Sequence, residues 1–342
     1  MFVFADSFDL YAAPADAVAG FWDSGTTTAW QLSSGRFSGG RAVGQNTTGV
    51  YLVKSSGSND ALHHVVLAFQ QTAALSGTTL GMYLTLGDGA TAQCSIVFRS
   101  DGAILLTSGG PAGTALATYT AAVTAQNQWF AFEFEVVINA TTGSFTVRKN
   151  GNASNDFTLG SLNTRPGTNP YANRLTFGLQ ASINGQLIDD LLWRSDAASV
   201  PWVGDVRAYV RMPSSDVQAQ FTRLGGATNF SQVSEARQDG ATSYVFDANV
   251  GDADFYGIAS IAVTPASVVA VVTRGFAQKS DAGARSGAVQ LRSGGTTVAS
   301  PATALNTTFS WLYRIDTVDP NTGAAWTPTA VNNVTIGPVV SA

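Results

Sequence analysis

The chain has 342 residues, 45% of them hydrophobic and only 12% charged, with a net charge of -5 and one cysteine. Burial is therefore not limiting, a basic face for tracking nucleic acid is excluded, and no intrachain disulfide can form. With charge at about half the roughly 25% usual for soluble domains, the exterior must be built from Thr, Ser, Asn, Gln and Gly.

Taken in chain order, apolar residues alternate and helical periodicity is nearly absent. The opening MFVFADSF has neither a basic start nor an apolar stretch long enough for an export signal, and no later run is expected to span a bilayer. Trp22 and Trp30 sit beside turn residues, as do Trp202 and Trp326 further on. Each is either a core aromatic or an indole free to stack on a sugar, and none is assigned as a ligand contact. Asn46 and Asn306 head Asn-x-Thr triplets, which chance supplies in so Thr- and Asn-rich a chain.

In HHVVLAFQ, a strand would send His63 and His64 to opposite faces, so they cannot chelate one metal together. A Ser-His-Asp triad would need one of them, but there is no Gly-x-Ser-x-Gly elbow to supply its nucleophile. GMYLTLG places Met82, Leu84 and Leu86 on one face; AQCSIVF does the same for Ala92, Cys94, Ile96 and Phe98, so Cys94 reads as a small buried hydrophobe. WFAFEFEVVI puts Phe130, Phe132, Phe134, Val136 and Ile138 on one side and Glu133 and Glu135 on the other. Two carboxylates on one face can divide the acid and nucleophile roles of a glycosidase. The Glu-x-Asp-x-x-Glu pattern of laminarinase-like enzymes is missing its third acid, and these glutamates read as the solvent side of an edge or half-exposed strand. RKNGN carries an Asn-Gly hairpin signal, RLTFGLQA aligns Leu175, Phe177 and Leu179, and QLIDDLLWR splits Asp189 and Asp190 across two faces.

At RSDAASVPWVGD, residues 194 to 205, the strand pattern pauses in a small-residue stretch that ends in Val-Pro, as a domain junction does. DVRAYVRMP then resumes alternation with Val206, Ala208, Val210 and Met212 on one face. Asp252 and Asp254 in NVGDADFYG are candidate Ca²⁺ ligands, although turns use aspartate anyway. SVVAVVTRGF is apolar on both faces and reads as a central strand, and TFSWLYRID alternates again. The expected fold is all-β: two antiparallel β-sandwich or jelly-roll domains in tandem, at 1–197 and 203–342.

The order FVFADSFDLY, GFWDS, AWQLSSGRFSGGRAV, QWFAFEFEVV…TGSFTVRKNGN and LIDDLLWR, over most of residues 1–195, resembles the concanavalin A-like lectin/glucanase jelly roll in its bacteriophage virion form. There an Asn-Gly turn follows the central hairpin and an Ile-Asp-Asp strand closes the sandwich. The second half is similar to the C-terminal portion of phage structural proteins. Lys279, Asp281, Ala282, Gly283 and Arg285 match one turn of that pattern, and Asp319, Pro320, Thr322, Gly323 and Trp326 match its closing segment. The residues of that segment suit a structural seal. Pro320 sets a turn, Gly323 supplies a positive φ, Trp326 is large enough to plug a sandwich end, and Thr327 with Pro328 can start a helical turn.

The resemblance implies a non-enzymatic virion component: a tail-tip, fibre or head-decoration protein of a tailed phage or phage-like particle, assembled in the host cytoplasm. Its partners would be other virion proteins and its own copies in a homo-oligomer, with host-surface glycan as the candidate ligand; neither nucleic acid nor membrane insertion is expected. No catalytic, cofactor-binding or metal-ligating residue is assigned, and no cofactor is called for. The rival expectations are a glycan-degrading enzyme on the same scaffold and a free carbohydrate-binding module.

Overall fold

The computed structural model describes residues 2–28, 30–45, 47–120, 122–181, 185–261 and 263–342. Asn46, one of the triplet asparagines, therefore lies outside the described residues. Contacts divide the chain into two compact units. The first comprises Met1–Asp9, Ala13–Val18 and Trp22–Ala208, and the second Leu10–Ala12, Ala19–Phe21 and Tyr209–Ala342.

Fifteen strands are described in the first unit. They are β1 (Phe2–Asp6), β2 (Ser24–Gly25), β3 (Trp30–Ser34), β4 (Arg41–Gln45), β5 (Tyr51–Asp60), β6 (Leu62–Gln71), β7 (Leu80–Asp88) and β8 (Thr91–Arg99). The chain continues through β9 (Ile104–Ser108), β10 (Ala115–Tyr119), β11 (Trp129–Val137), β12 (Gly143–Lys149), β13 (Phe157–Leu162), β14 (Ala172–Leu179) and β15 (Gln186–Asp196). Among the described residues these make an eight-stranded sheet in the order β13-β12-β11-β6-β15-β4-β3, with β1 on β15, and a seven-stranded sheet in the order β10-β9-β8-β7-β14-β5-β2. Every pairing within them is antiparallel.

The inward residues of the alternating runs fill the space between the sheets. Phe69 and Phe98 stack with ring centroids 4.1 Å apart, and Phe132, Phe134 and Phe145 continue the stack. The all-β sandwich expected from the sequence is the fold observed. Asn150 and Gly151 adopt φ of 53° and 73°, the left-handed pair that the Asn-Gly signal implies. β15, expected to close the sandwich, instead lies inside its sheet between β6 and β4, with β1 pairing along its later residues.

The second unit contains β16 (Pro213–Gln218), β17 (Thr222–Arg223), β18 (Val245–Phe246), β19 (Phe255–Ile258), β20 (Val271–Ala277) and β21 (Ser286–Ser293). β22 (Thr296–Ala299), β23 (Thr303–Ala304), β24 (Ser310–Asp316), the helix α1 (Pro328–Asn332) and β25 (Thr335–Val340) complete it. Its larger sheet runs β16-β19-β25-β21-β22, with β23 on β21. β20 and β24 pair only with each other among the described strands, so β20 is half of a two-stranded ribbon and not the central strand its apolar run suggested. One side of the ribbon abuts the larger sheet, where a Cβ on Gly275 would stand 2.8 Å from Val289. On the other side the Arg274 guanidinium lies 3.6 Å from the Phe21 ring centre and 4.1 Å from that of Trp311.

The closing segment behaves as its residues require. Trp326 is buried with Leu291, Val331 and Val334, and its indole donates to the Asp316 carbonyl at 2.8 Å. Gly323 has φ of 69°, and Thr327 caps α1 through the Ala330 amide at 3.0 Å. Residues 206–212, expected as a strand, are not one: the strand begins at Pro213. Residues 203–208, expected in the second domain, cluster with the first unit. The cause is visible in their backbone N–H groups, which go to carboxylates and not to a neighbouring strand.

Candidate functional site

Glu133 and Glu135 stand on β11, and β11 is an interior strand between β12 and β6. The expected solvent-facing role is therefore corrected: Glu133 is 2% exposed. His64 on β6 lies directly opposite Glu135, and its two ring nitrogens face the two glutamates. Nδ1 is 3.3 Å from Glu133 Oε1 and Nε2 is 2.9 Å from Glu135 Oε2. Carboxylates only accept, so both nitrogens carry protons and the ring is an imidazolium. Burial alone would lower its basicity; the hydrogen bonds to Glu133 and Glu135 more than reverse this and leave its pKa above the ordinary value. Glu133 also accepts the amides of Val203 (2.9 Å) and Gly204 (2.7 Å). These acids are committed to a histidine and to backbone, which leaves Glu133 no accessible oxygen for acid-base work.

His63 is the converse. It faces the other way, fully buried, with Trp193 Nε1 donating to its Nδ1 at 3.2 Å and its Nε2 donating to the Asp60 carbonyl at 2.9 Å. One nitrogen accepts and one donates, so the ring is neutral, and burial pushes its pKa down to about 4. Among the described residues no three His, Cys, Asp or Glu side chains converge as a metal-binding set.

The remaining sequence candidates also resolve into structure. A register shift in β15 between Asp189 and Leu192, with Asp190 at φ of 52°, turns both aspartates toward Arg36 instead of splitting them. Asp189 accepts the Arg36 amide at 2.7 Å, and Asp190 accepts the Ala208 amide at 2.8 Å. Asp254 is fully buried and takes four donors: the amides of Gln220 and Phe221, Asn229 Nδ2 and the Tyr256 hydroxyl. It is a structural hub and not an open Ca²⁺ ligand; Asp252 accepts from Asn249 in the adjoining turn. Trp22, Trp30 and Trp326 are buried, and half-buried Trp202 rests on His64 with Arg148 over its ring at 4.1 Å. Cys94 is fully buried, and that burial pushes its thiol up to about 12.

The outer face of the seven-stranded sheet carries a different arrangement, which the sequence reading passed over. Alternation sends Met82, Leu84 and Leu86 of β7 into the core and Tyr83 and Thr85 outward. Register then aligns outward residues of neighbouring strands in rows. Tyr51, Gly178, Tyr83 and Val97 form one row. Val53, Thr176, Thr85, Ser95 and Thr107 form the next. A Cβ on Gly178 would stand 2.5 Å from the Tyr83 hydroxyl, so the glycine supplies the space the tyrosine ring occupies. Burial, and then the neighbouring Tyr51, raise the Tyr83 pKa and keep its phenol a donor. Ser95 donates to the Gly109 carbonyl at 2.8 Å, so Thr85, 2.7 Å away, is the donor of that hydroxyl pair. Tyr51 is 39% exposed, and Arg174 begins a third row beside Thr176.

In these rows Tyr51 is exposed and Tyr83 and Thr176 are half-buried, whereas Val53, Val97, Thr85, Ser95 and Thr107 are buried; the accessible part is an aromatic pair beside the Thr176 hydroxyl, which suits the C–H face of a polyhydroxylated ring. The signal lies in GMYLTLG, where Tyr83 and Thr85 alternate with Met82, Leu84 and Leu86 and gain meaning once β14 and β5 lie beside them.

Compared by sequence, the chain matches no family model and no curated protein. Among solved structures it is similar to the Ca²⁺-bound exoplasmic/lumenal domain of VIP36, at 9% identity and a TM-score of 0.37, over 60% of this chain and 93% of that one. It is also similar to the carbohydrate esterase vb_24B_21 of Shiga toxin-encoding bacteriophage phi24B, at 16% identity and a TM-score of 0.37, over 56% of this chain and all of that one. A third, the binding domain of botulinum neurotoxin serotype D, has 12% identity and a TM-score of 0.36; the match spans 50% of this chain and 42% of that chain's length.

Proposed function

We propose that the protein is a non-enzymatic component of a tailed phage or phage-like particle whose first unit binds host-surface glycan on the outer face of its seven-stranded sheet. The observation that carries the glycan reading is the Tyr51–Gly178–Tyr83 row, with Tyr51 exposed, lying beside the half-buried Thr176. Low overall charge fits a neutral sugar better than an anionic polymer. The particle reading rests on the order of sequence segments in both halves. Other virion proteins and further copies of the chain are the proposed partners. A binding role is favoured over a hydrolytic one because Glu133 and Glu135 stand on the opposite sheet, with both oxygens of Glu133 engaged and Glu135 Oε2 held by His64.

Two measurements test the two parts. Particles from a producing culture are banded on a density gradient and the chain is sought by mass spectrometry. Co-migration at fixed stoichiometry is expected, and recovery only in the soluble fraction overturns the particle reading. Glycan-array binding by the full chain is then compared with that of Tyr83→Ala. Binding that survives the substitution moves the site elsewhere, and release of sugar from an array glycan overturns the non-enzymatic reading.

A further inference from the structure

We infer that residues 200–208 form a pH-sensitive strap, seated on the outer face of the eight-stranded sheet in acid and neutral solution and released as the pH rises. The geometry is a chain of polar anchors with no strand pairing. Arg194 Nη1 donates to the Pro201 carbonyl at 2.6 Å. Trp202 packs on His64, its ring centre 4.7 Å from the imidazole. The amides of Val203 and Gly204 go to Glu133, Asp205 pairs in bidentate fashion with Arg36 at 2.5 and 2.6 Å, and the Ala208 amide goes to Asp190. Ala208 is the last residue of the first unit.

Two clusters of charged groups underlie these anchors. At one end, the His64 imidazolium holds Glu133 and Glu135 together; Arg194, whose side chain attracts Glu133, and Arg148, over Trp202, are the other charges facing it. These groups fix the seat of Val203 and Gly204, and the pH dependence comes from the other end. At the other end, Asp190 and Asp189 face Asp9 and each other, with Arg36, itself paired to Asp205, as the cation beside them. Asp190 Oδ2 is buried without a hydrogen-bond partner, 3.7 Å from Arg36 Nη1. Such an oxygen is stable there as a carboxylic acid and costly as an anion. Burial and then the Asp189 charge push Asp190 up to about 7, and burial pushes Asp189 up to about 6. Lifting the strap hydrates Asp190 and returns it toward the ordinary carboxylate range. A rise in pH therefore favours the lifted state at the Asp190 end.

The test is hydrogen–deuterium exchange of the full chain, corrected for intrinsic exchange, at about pH 6 and about pH 8.5. Linkage through Asp190 alone raises the opening constant about tenfold between these values. The expected result is a loss of protection of that size in peptides covering 203–208, with β6 and β11 unchanged, and its disappearance in Asp190→Asn. Asparagine keeps the acceptor for Ala208 and removes the charge. Equal protection at both pH values, an undiminished loss in Asp190→Asn, or a loss that spreads to β6 and β11 overturns the inference. Should Asp190→Asn itself unprotect β6 and β11 at the lower pH, Asp189→Asn takes its place and must reduce the loss.

Discussion

His63 and His64 are adjacent in sequence, yet one is neutral and the other cationic. Strand alternation points one at an indole and a carbonyl and the other at two carboxylates, and the partners decide the protonation. His64→Leu leaves Glu133 buried with no imidazolium, a loss expected to cost about 3–5 kcal/mol. Urea unfolding of the first unit measures it, and a cost near zero would show that the ion pair contributes nothing. On the opposite sheet, Tyr83→Ala removes the stacking surface and should weaken glycan affinity about tenfold or more, as loss of a central aromatic does. Gly178→Val should do the same from beneath, because its side chain needs the space Tyr83 fills. Retained affinity in Gly178→Val would mean that Tyr83 is not part of the contact surface. The acid pair, the two histidines and Cys94 were legible as residues, whereas their roles depended on strands distant in sequence.

Elements were legible where they depend on neighbours along the chain. Inward alternation, the Asn150-Gly151 turn and the Thr327-Pro328 helix start are local, and all three are observed. Thr327→Ala should destabilise the second unit by about 1 kcal/mol, the usual worth of an N-cap. A thermal midpoint for that unit unchanged from the parent chain would refute the assignment. Two local patterns misled. The run around Val271 is apolar on both sides but has one strand partner, because the ribbon lies on the sheet without joining it. The alternating stretch at 206–212 is not a strand: its Ala208 amide goes to Asp190, just after Glu133 takes the amides of Val203 and Gly204. Side-chain acceptors compete with a ladder for backbone donors, and a period-two pattern does not record which wins.

At the scale of the whole molecule, the buried titrating groups make stability depend on pH with a definite sign. Asp189 and Asp190 bind protons more tightly folded than unfolded, so stability falls as pH rises from the ordinary carboxylate value of 3.8 toward about 6 and about 7 respectively. His64, also raised, contributes stability that is full below its ordinary value of 6.5 and is lost as pH passes through its folded value. His63 titrates near 4 in the fold, so it is neutral across this window and opposes unfolding less as acid is added. The first unit should thus unfold at a lower temperature at about pH 8 than at about pH 6, by calorimetry, and Asp190→Asn should narrow the gap. A midpoint that rises with pH across that interval would contradict the assignment of these groups. The sequence by itself determined the class of fold, the low-charge exterior, the exclusion of a disulfide and the sealing role of the last turn, because alternation, composition and capping act over a few residues. Only the tertiary structure decided that the acid pair is an anchor, that two aspartates share one arginine, and that Tyr51 meets Tyr83 across Gly178. Each of those depends on strand order and register, which bring together residues many tens of positions apart.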